Sequence, residues 1–170
     1  MAQFAFNSLL DRWKQRWESI LCETTFRDNF LREITHFADV KLTAALLDAG
    51  NATPIQLVPA PGAGLANVIV GIFTFVDAGA TPFELGSGTL GFKYTDGSGA
   101  SVATAVPNAT VESASDTYYW SPPAAVVPVV NAKIVAQPSA DVTAGDGAIY
   151  CRVFYKTVKI ADFTTGTEIP

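Results

Sequence analysis

The sequence predicts an all-β protein, a jelly-roll-like antiparallel β-sandwich that follows a short helical N-terminal arm. Composition changes near residue 36, because residues 1–35 contain no glycine or proline whereas residues 36–170 contain all 13 glycines and all 10 prolines. From Asp39 onward, short β-type runs alternate with the turn-forming residues Gly, Pro, Asn and Asp. No helical crossover of the kind that joins parallel strands separates these runs. We therefore expect an arm over residues 1–38 and a sandwich over residues 39–170.

Eight strands are predicted for the sandwich, each from an apolar or alternating run between turn signals. They are Asp39–Leu47, Ile55–Val58, Asn67–Val76, Gly88–Tyr94, Ser101–Val106, Asp116–Trp120, Ala132–Gln137 and Ala148–Ile160. The pairs Asp96-Gly97 and Asp146-Gly147 predict hairpin turns, because glycine adopts a positive φ without a steric cost.

The arm contains an amphipathic helix with one apolar stripe at helical spacing. The stripe consists of Leu9, Leu10, Trp13, Trp17, Ile20 and Leu21. Ser8 is a plausible N-cap, and Asp11 lies where a negative charge meets the positive end of the helix. Two interpretations remain open: the stripe packs on the β domain of its own chain, or it contacts copies of itself or another protein. Two tryptophans on one stripe favour protein contact, since Trp is enriched at binding hot spots.

Composition and charge exclude several classes of partner. The net charge is −5 and the 11 basic residues are scattered, whereas nucleic-acid binding needs clustered Lys and Arg. No apolar run approaches the roughly 20 residues of a membrane span. Charged residues make up 16% of the chain, against about 25% in average soluble domains. The sequence thus predicts protein partners, with surface hidden in an oligomer or larger assembly, and no nucleic acid or membrane.

Cysteine and histidine usage argues against a metal site and against nucleophilic catalysis. Cys22 and Cys151 lie in segments of different character at a spacing that matches no metal motif, so both are predicted to be free thiols. His36 is the single histidine of the chain. A linker or packing role is expected for it, which leaves no obvious general base near neutral pH.

Two acidic pairs are candidate sites, and neither has a recognisable spacing. Glu84 and Glu112 are candidates for glycoside hydrolysis, which uses two carboxylates across the scissile bond. Asp141 and Asp146 are candidates for calcium, but the alternating acids of a calcium loop are missing. We expect no catalytic residue, no metal and no cofactor.

A glycine pattern after the second strand resembles a dinucleotide-binding loop only superficially. Gly62 and Gly64 are followed by Asn67 where a third glycine is needed. A β-branched run then follows in place of the helix whose N-terminus would hold phosphate. The glycines are therefore interpreted as turn residues.

An aromatic cluster, Tyr118-Tyr119-Trp120, precedes Ser121 and two prolines. Successive residues of a strand face opposite sides, so Tyr119 is expected to point away from Tyr118 and Trp120. One side is expected to fill the core. The alternative is a surface patch that stacks on a sugar or contacts a protein, and for it Tyr118 and Trp120 are the candidate residues.

The segment from Thr53 to Gly64, with the sequence TPIQLVPAPGAG, resembles small β-sandwich virion proteins of tailed bacteriophages, of the head decoration (cement) or head-fibre type. The resemblance continues through Thr81-Pro82-Phe83, the run Gly88–Tyr94 and the passage from Gly145 to Tyr155, and it covers about residues 40–160. It implies a jelly-roll-like sandwich on a virion and offers no catalytic residues. The arm lies outside it.

Residues and resemblance together predict a non-enzymatic virion structural protein made in the host cytoplasm. The expected role is a capsid decoration protein that binds capsid subunits as a homo-oligomer, often a trimer in such assemblies. The stripe of the arm would dock onto the major capsid protein or another virion protein. The alternatives are a tail or head-fibre component that binds a host receptor, and a carbohydrate-binding module, since a sandwich does not decide function.

Overall fold

A computed structural model describes residues 36–160 of the chain. Residues 1–35 of the predicted arm, with its stripe and Cys22, lie outside the described residues, and residues 36–38 belong to the first strand. The division at residue 38 stays a prediction. The described elements are the strands β1 (His36–Thr43), β2 (Ile55–Val58), β3 (Leu65–Asp77), β4 (Leu90–Tyr94), β5 (Ser101–Val106), β6 (Thr117–Ser121), β7 (Ile134–Pro138) and β8 (Ala148–Lys159), and the helices α1 (Ala44–Gly50) and α2 (Asn108–Val111).

The strands form two four-stranded antiparallel sheets. Sheet A has the order β1-β8-β3-β6, and sheet B has the order β2-β7-β4-β5. Strands pair in order from the two ends of the chain inward: β1 with β8, β2 with β7, β3 with β6 and β4 with β5. They form one long antiparallel ribbon that wraps around the core, and the pairs β3–β8 and β4–β7 complete the two sheets. This is the strand order of an eight-stranded jelly roll, and it confirms the predicted fold class.

The core lies between the sheets and is built by residues at alternate positions of each strand. In β4, Leu90, Phe92 and Tyr94 are buried and point inward, whereas the intervening Gly91 and Lys93 face outward. Burying a side chain as large as Phe92 contributes about 1.5–3 kcal/mol relative to leaving it in water. The same alternation in sheet A supplies Ile72 and Val153 to the core.

The chain passes from sheet A to sheet B directly after β6. Ser121 still pairs with Ile72 of β3, but Pro122 O accepts a hydrogen bond from Thr104 N of β5 at 3.0 Å and Ala124 N donates one to Val102 O at 2.9 Å. The segment that follows β6 therefore covers part of the edge of β5. This arrangement protects strand edges that would otherwise be open to pairing with other chains.

The first predicted strand was wrong in its second half. We expected a strand over Asp39–Leu47, but β1 ends at Thr43 and α1 begins at Ala44. The Thr43 side chain accepts a hydrogen bond from Leu46 N at 3.4 Å and so acts as N-cap. Because Ala and Leu are strong helix formers, the residues after this cap continue as a helix.

One of the two predicted hairpin turns was also wrong. Asp96-Gly97 does lie in the turn of the β4–β5 hairpin, where Thr95 has a φ of 63°. Asp146-Gly147, by contrast, precedes β8, whose chain predecessor β7 belongs to the other sheet. Asp146 instead accepts hydrogen bonds from Ala80 N at 2.9 Å and Thr81 N at 2.8 Å and thereby ties two loops together.

A buried asparagine connects the two sheets at the end where β3 begins. Asn67 is 1% exposed, its O accepts a hydrogen bond from Tyr94 Oη at 2.6 Å, and its Nδ2 donates to Pro59 O at 3.0 Å. Thr157 Oγ1 donates to Asn67 Oδ1 at 2.9 Å. Burial raises the pKa of the Tyr94 hydroxyl. Asn67 therefore has a structural role at the position where a dinucleotide-binding loop would need its third glycine.

We expect residues 37–170 to fold without the arm. Both sheets of the described sandwich and the core between them are built from residues after residue 35, which is the reason for this expectation. A protein of residues 37–170 should give a β-type circular dichroism spectrum and one cooperative melting transition. A disordered product would contradict the two-region organisation.

Candidate protein-binding surface

The outer face of sheet A carries aromatic side chains where an antiparallel sandwich normally presents polar residues to water. In β3, Ile72, Thr74 and Val76 point into the core, so Phe73 and Phe75 between them point outward. The strand registers place further aromatic residues beside these two on both neighbouring strands. Among residues 36–160, this aromatic face consists of Phe37, Phe73, Phe75, Tyr118, Trp120, Tyr150 and Phe154.

The rings of the aromatic face contact one another across strands. Phe73 and Tyr118 are stacked, with ring centroids 6.0 Å apart and an interplanar angle of 18°. Phe75 and Tyr150 have centroids 6.1 Å apart, as do Trp120 and Phe154. Such cross-strand aromatic pairs add about 0.5–1.5 kcal/mol beyond their area burial. Six of the seven rings are therefore packed in cross-strand pairs on this face.

Gly71 makes room for the largest of these rings. A Cβ at this position would overlap Cη2 and Cζ2 of Trp120. The indole thus lies directly across the backbone of β3, and the missing side chain of Gly71 allows this close approach.

Two basic side chains lie over rings of the aromatic face. The Arg152 guanidinium is 5.0 Å from the Phe37 ring centroid, and Lys41 Nζ is 5.4 Å from that of Tyr150. Arg152 also forms a two-pronged ion pair with Asp39 on the neighbouring strand, with Nε–Oδ1 and Nη2–Oδ2 distances of 2.6 Å. The charge-bearing end of Arg152 is thereby fixed against an aromatic surface.

Two residues of the aromatic face are strongly exposed. Phe37 is 62% exposed and Tyr118 is 50% exposed, whereas Phe73 and Phe154 are buried. Tyr119, as expected from strand alternation, packs against the core on the opposite side. Tyr and Trp combine a large apolar area with one polar group and are enriched at protein interfaces.

The structure brings Tyr118 and Trp120, the candidate contact residues of the sequence, onto this face. It does not describe Leu9, Leu10, Trp13, Trp17, Ile20 or Leu21. The sequence did not indicate the other members of the aromatic face, which are Phe37, Phe73, Phe75, Tyr150 and Phe154. The sequence of β8 contains the pattern that could have revealed this face, because Tyr150, Arg152 and Phe154 alternate with core residues.

The two candidate acidic pairs have local structural roles. Glu112 Oε1 accepts a hydrogen bond from Leu85 N at 2.5 Å, and Glu84 Oε2 accepts one from Thr143 Oγ1 at 3.4 Å. Asp141 Oδ1 accepts from Asn51 Nδ2 at 2.8 Å, whereas Asp146 ties the loop at residues 80–81. Within the described part of the chain, no three His, Cys, Asp or Glu side chains are placed to hold a metal ion.

His36 and Cys151 are likewise part of the sheet. His36 is the first residue of β1, and its ring centroid is 5.4 Å from that of Tyr155. Cys151 is a buried free thiol. Burial raises its pKa to about 12, although the hydroxyl of Thr74 on the neighbouring strand acts in the opposite direction. The thiol is therefore protonated at neutral pH, the state in which it is a poor nucleophile.

Comparison with known proteins adds one structural resemblance. No protein-family model and no curated protein matches the chain. A solved structure titled "Cyanophage Pam1 capsid asymmetric unit" is similar, with 16% sequence identity and a TM-score of 0.39, over 70% of this chain and 80% of that chain. A match at this level does not identify a function or a partner. Neither helix within residues 36–160 is long and apolar enough to cross a membrane.

Proposed function

We propose that this protein is a non-enzymatic structural protein of a phage virion, a capsid decoration protein that binds capsid subunits as a homo-oligomer. The observation that carries the proposal is the aromatic face, on which Phe37 and Tyr118 remain exposed. Interfaces are enriched in aromatic residues and Arg, and a few such residues supply most of the binding energy. The sequence resemblance to phage decoration and head-fibre proteins supplies the setting, and jelly rolls occur in viral capsid domains.

Removing the exposed rings tests this proposal. Phe37→Ser together with Tyr118→Ser should weaken binding to capsid particles by roughly thirtyfold or more, because truncation of hot-spot residues costs about 2 kcal/mol or more. Binding is measured by cosedimentation of the purified protein with particles over a range of concentrations.

Leu46→Ser is the matched control for this variant. Leu46 is 44% exposed, but it lies on α1, away from the aromatic face. Its replacement should leave particle binding unchanged. Equal binding by wild type and a folded Phe37/Tyr118 variant would contradict a role for the aromatic face.

Carbohydrate binding is a second candidate function, favoured by the half-exposed ring of Tyr118, which is stacked on Phe73. A flat, supported ring offers an apolar surface on which a sugar can stack, and lectins also use the jelly-roll fold. Binding on a glycan array that Tyr118→Ser abolishes would favour this candidate, or a fibre component with a glycan receptor.

A further inference from the structure

Two loops at one end of the sandwich contain no charged residue. The loop before β3 has the sequence PAPGAG over residues 59–64, and the segment after β6 has the sequence PPAAVVPVVN over residues 122–131. Asn131 joins the two loops, since its N donates to Leu65 O at 2.8 Å and its Oδ1 accepts from Gly62 N at 3.0 Å. We call this pair of loops the neutral end.

Apolar side chains are concentrated on the neutral end. Val127 is 82% exposed, Val130 is 45% exposed and Val129 is 39% exposed. Within residues 36–160 these three account for half of the strongly exposed large hydrophobic side chains, and they lie within four consecutive positions. A single exposed valine needs no explanation, but a contiguous apolar patch marks an interaction surface.

The valines are presented by a segment whose backbone is held in place. The segment is anchored at its start by the bond from Ala124 N to Val102 O and at its finish by Asn131, whose φ is 52°. Between these anchors, Val126 packs against the core, whereas Val127 next to it faces water. Pro128 further restricts the backbone. A pre-organised surface loses little conformational entropy on binding.

Most of the carboxylates in residues 36–160 lie at the opposite end of the sandwich. Of the nine Asp and Glu residues in 36–160, seven lie in or beside the four loops of that end, which hold no Lys or Arg: Asp48, Asp77, Glu84, Glu112, Asp116, Asp141 and Asp146. Among residues 36–160, the charges near the neutral end are Asp96 and Lys133, which attract each other, Lys93, whose Nζ donates to Gly97 O, and Lys159. The two ends of the domain therefore differ strongly in charge.

This charge distribution indicates which partner fits the neutral end. Two copies of a chain with a net charge of −5 repel each other, and the repulsion is strongest where the carboxylates are concentrated. Contact through the neutral end keeps the acidic ends far apart, and the two loops that would meet carry no charged residue themselves. Depletion of charge is also the compositional signature of an interface core, most clearly in homo-oligomers.

We infer that the neutral end is the self-association surface of this protein, contacted by a second copy of the chain through Val127, Val129 and Val130. The inference deepens the proposed function, on whose homo-oligomer it rests. It assigns the contact between copies to the loops and leaves the aromatic face for the capsid.

The test replaces two exposed valines by charge in the full-length protein. In Val127→Asp with Val130→Asp, four or more carboxylates would meet in each contact, and the oligomer should dissociate. Analytical ultracentrifugation should then give the 18.0 kDa mass of a monomer. The matched control Leu46→Asp, on an exposed residue of the opposite end, should retain the wild-type mass.

Three outcomes would overturn the inference. The first is a monomeric wild-type protein at about 100 μM, a concentration at which even micromolar self-association is nearly saturated. The second is a Val127/Val130 variant that remains oligomeric, and the third is a Leu46→Asp variant that dissociates to the same extent.

If the aspartate variant does not fold, Val127→Cys in a Cys22→Ser background takes its place. A short bis-maleimide should then link two copies, whereas Leu46→Cys should give no link, and absence of the Val127 link overturns the inference. Binding of the wild-type protein to capsid particles is measured separately. A wild-type protein that self-associates but does not bind particles would contradict the proposed function and not this inference.

Discussion

Gly147→Ala is expected to destabilise the sandwich by about 3 kcal/mol, the upper part of the range for inserting atoms into a packed site. A Cβ at this position would overlap the Asp77 carbonyl oxygen and lie 2.9 Å from the carbonyl carbon of Ala78. Both are backbone atoms, which cannot move aside as a flexible side chain can. Gly147 directly precedes β8, which pairs with both β1 and β3, so a shift here is transmitted to three strands.

Thermal and urea unfolding of the full-length protein measure this effect. A loss of 3 kcal/mol corresponds to a fall in Tm of about 10 °C for a domain of this size. Gly91→Ala is the matched control, because the nearest atom to its added Cβ, Gln137 O, lies at an ordinary 3.6 Å. Alanine there should be neutral or slightly stabilising, since glycine is unfavourable inside a strand. Equal stability of wild type and the Gly147 variant would contradict the described packing of β3 against β8.

Trp13→Ala combined with Trp17→Ala is expected to release the protein from capsid particles. The sequence places the two indoles four residues apart on one helical face, in the stripe that we propose as the docking element of the arm. Two hot-spot tryptophans together contribute roughly 4 kcal/mol, or about a thousandfold in affinity. The Tm of the β domain should barely change. Cosedimentation with particles, beside a thermal melt of the isolated protein, measures both quantities.

Lys14→Ala with Glu18→Ala is the matched control, because these residues have the same spacing but lie outside the apolar stripe. This variant should bind particles as wild type does. Unchanged particle binding by a well-folded Trp13/Trp17 variant would end the docking hypothesis. A lower Tm with binding retained would assign the indoles to stability instead.

Strand positions could be predicted from the sequence because each strand is a local pattern between turn residues. Ile55–Val58 and Ser101–Val106 have the same bounds in the structure as in the prediction. The switch from strand to helix at Ala44 was missed, since the run Asp39–Leu47 has no glycine or proline and only the Thr43 cap marks the boundary. The fold class could be predicted from the sequence but the order of the strands could not, because β1 pairs with β8, which lies more than 100 residues away in the chain.

The aromatic face could be predicted only in part, for a physical reason. β6 is a short strand between polar residues, so the alternation of side chains along any strand was enough to place Tyr118 and Trp120 on one face and Tyr119 on the other. β3 is apolar at almost every position from Val68 to Val76, and such a run resembles a strand that is buried on both faces. Its outward Phe73 and Phe75 could be recognised only once the register with β8 and β6 was known.

The most direct test of the virion role is the composition of purified phage particles. Particles washed in high salt, which weakens contacts between exposed charges and leaves apolar contacts intact, are quantified for this protein against the major capsid protein. We predict a fixed stoichiometric ratio to the capsid protein, and labelled antibody on the particle surface in electron micrographs. Particles that lack the protein, or carry it only in variable trace amounts, would contradict the proposal.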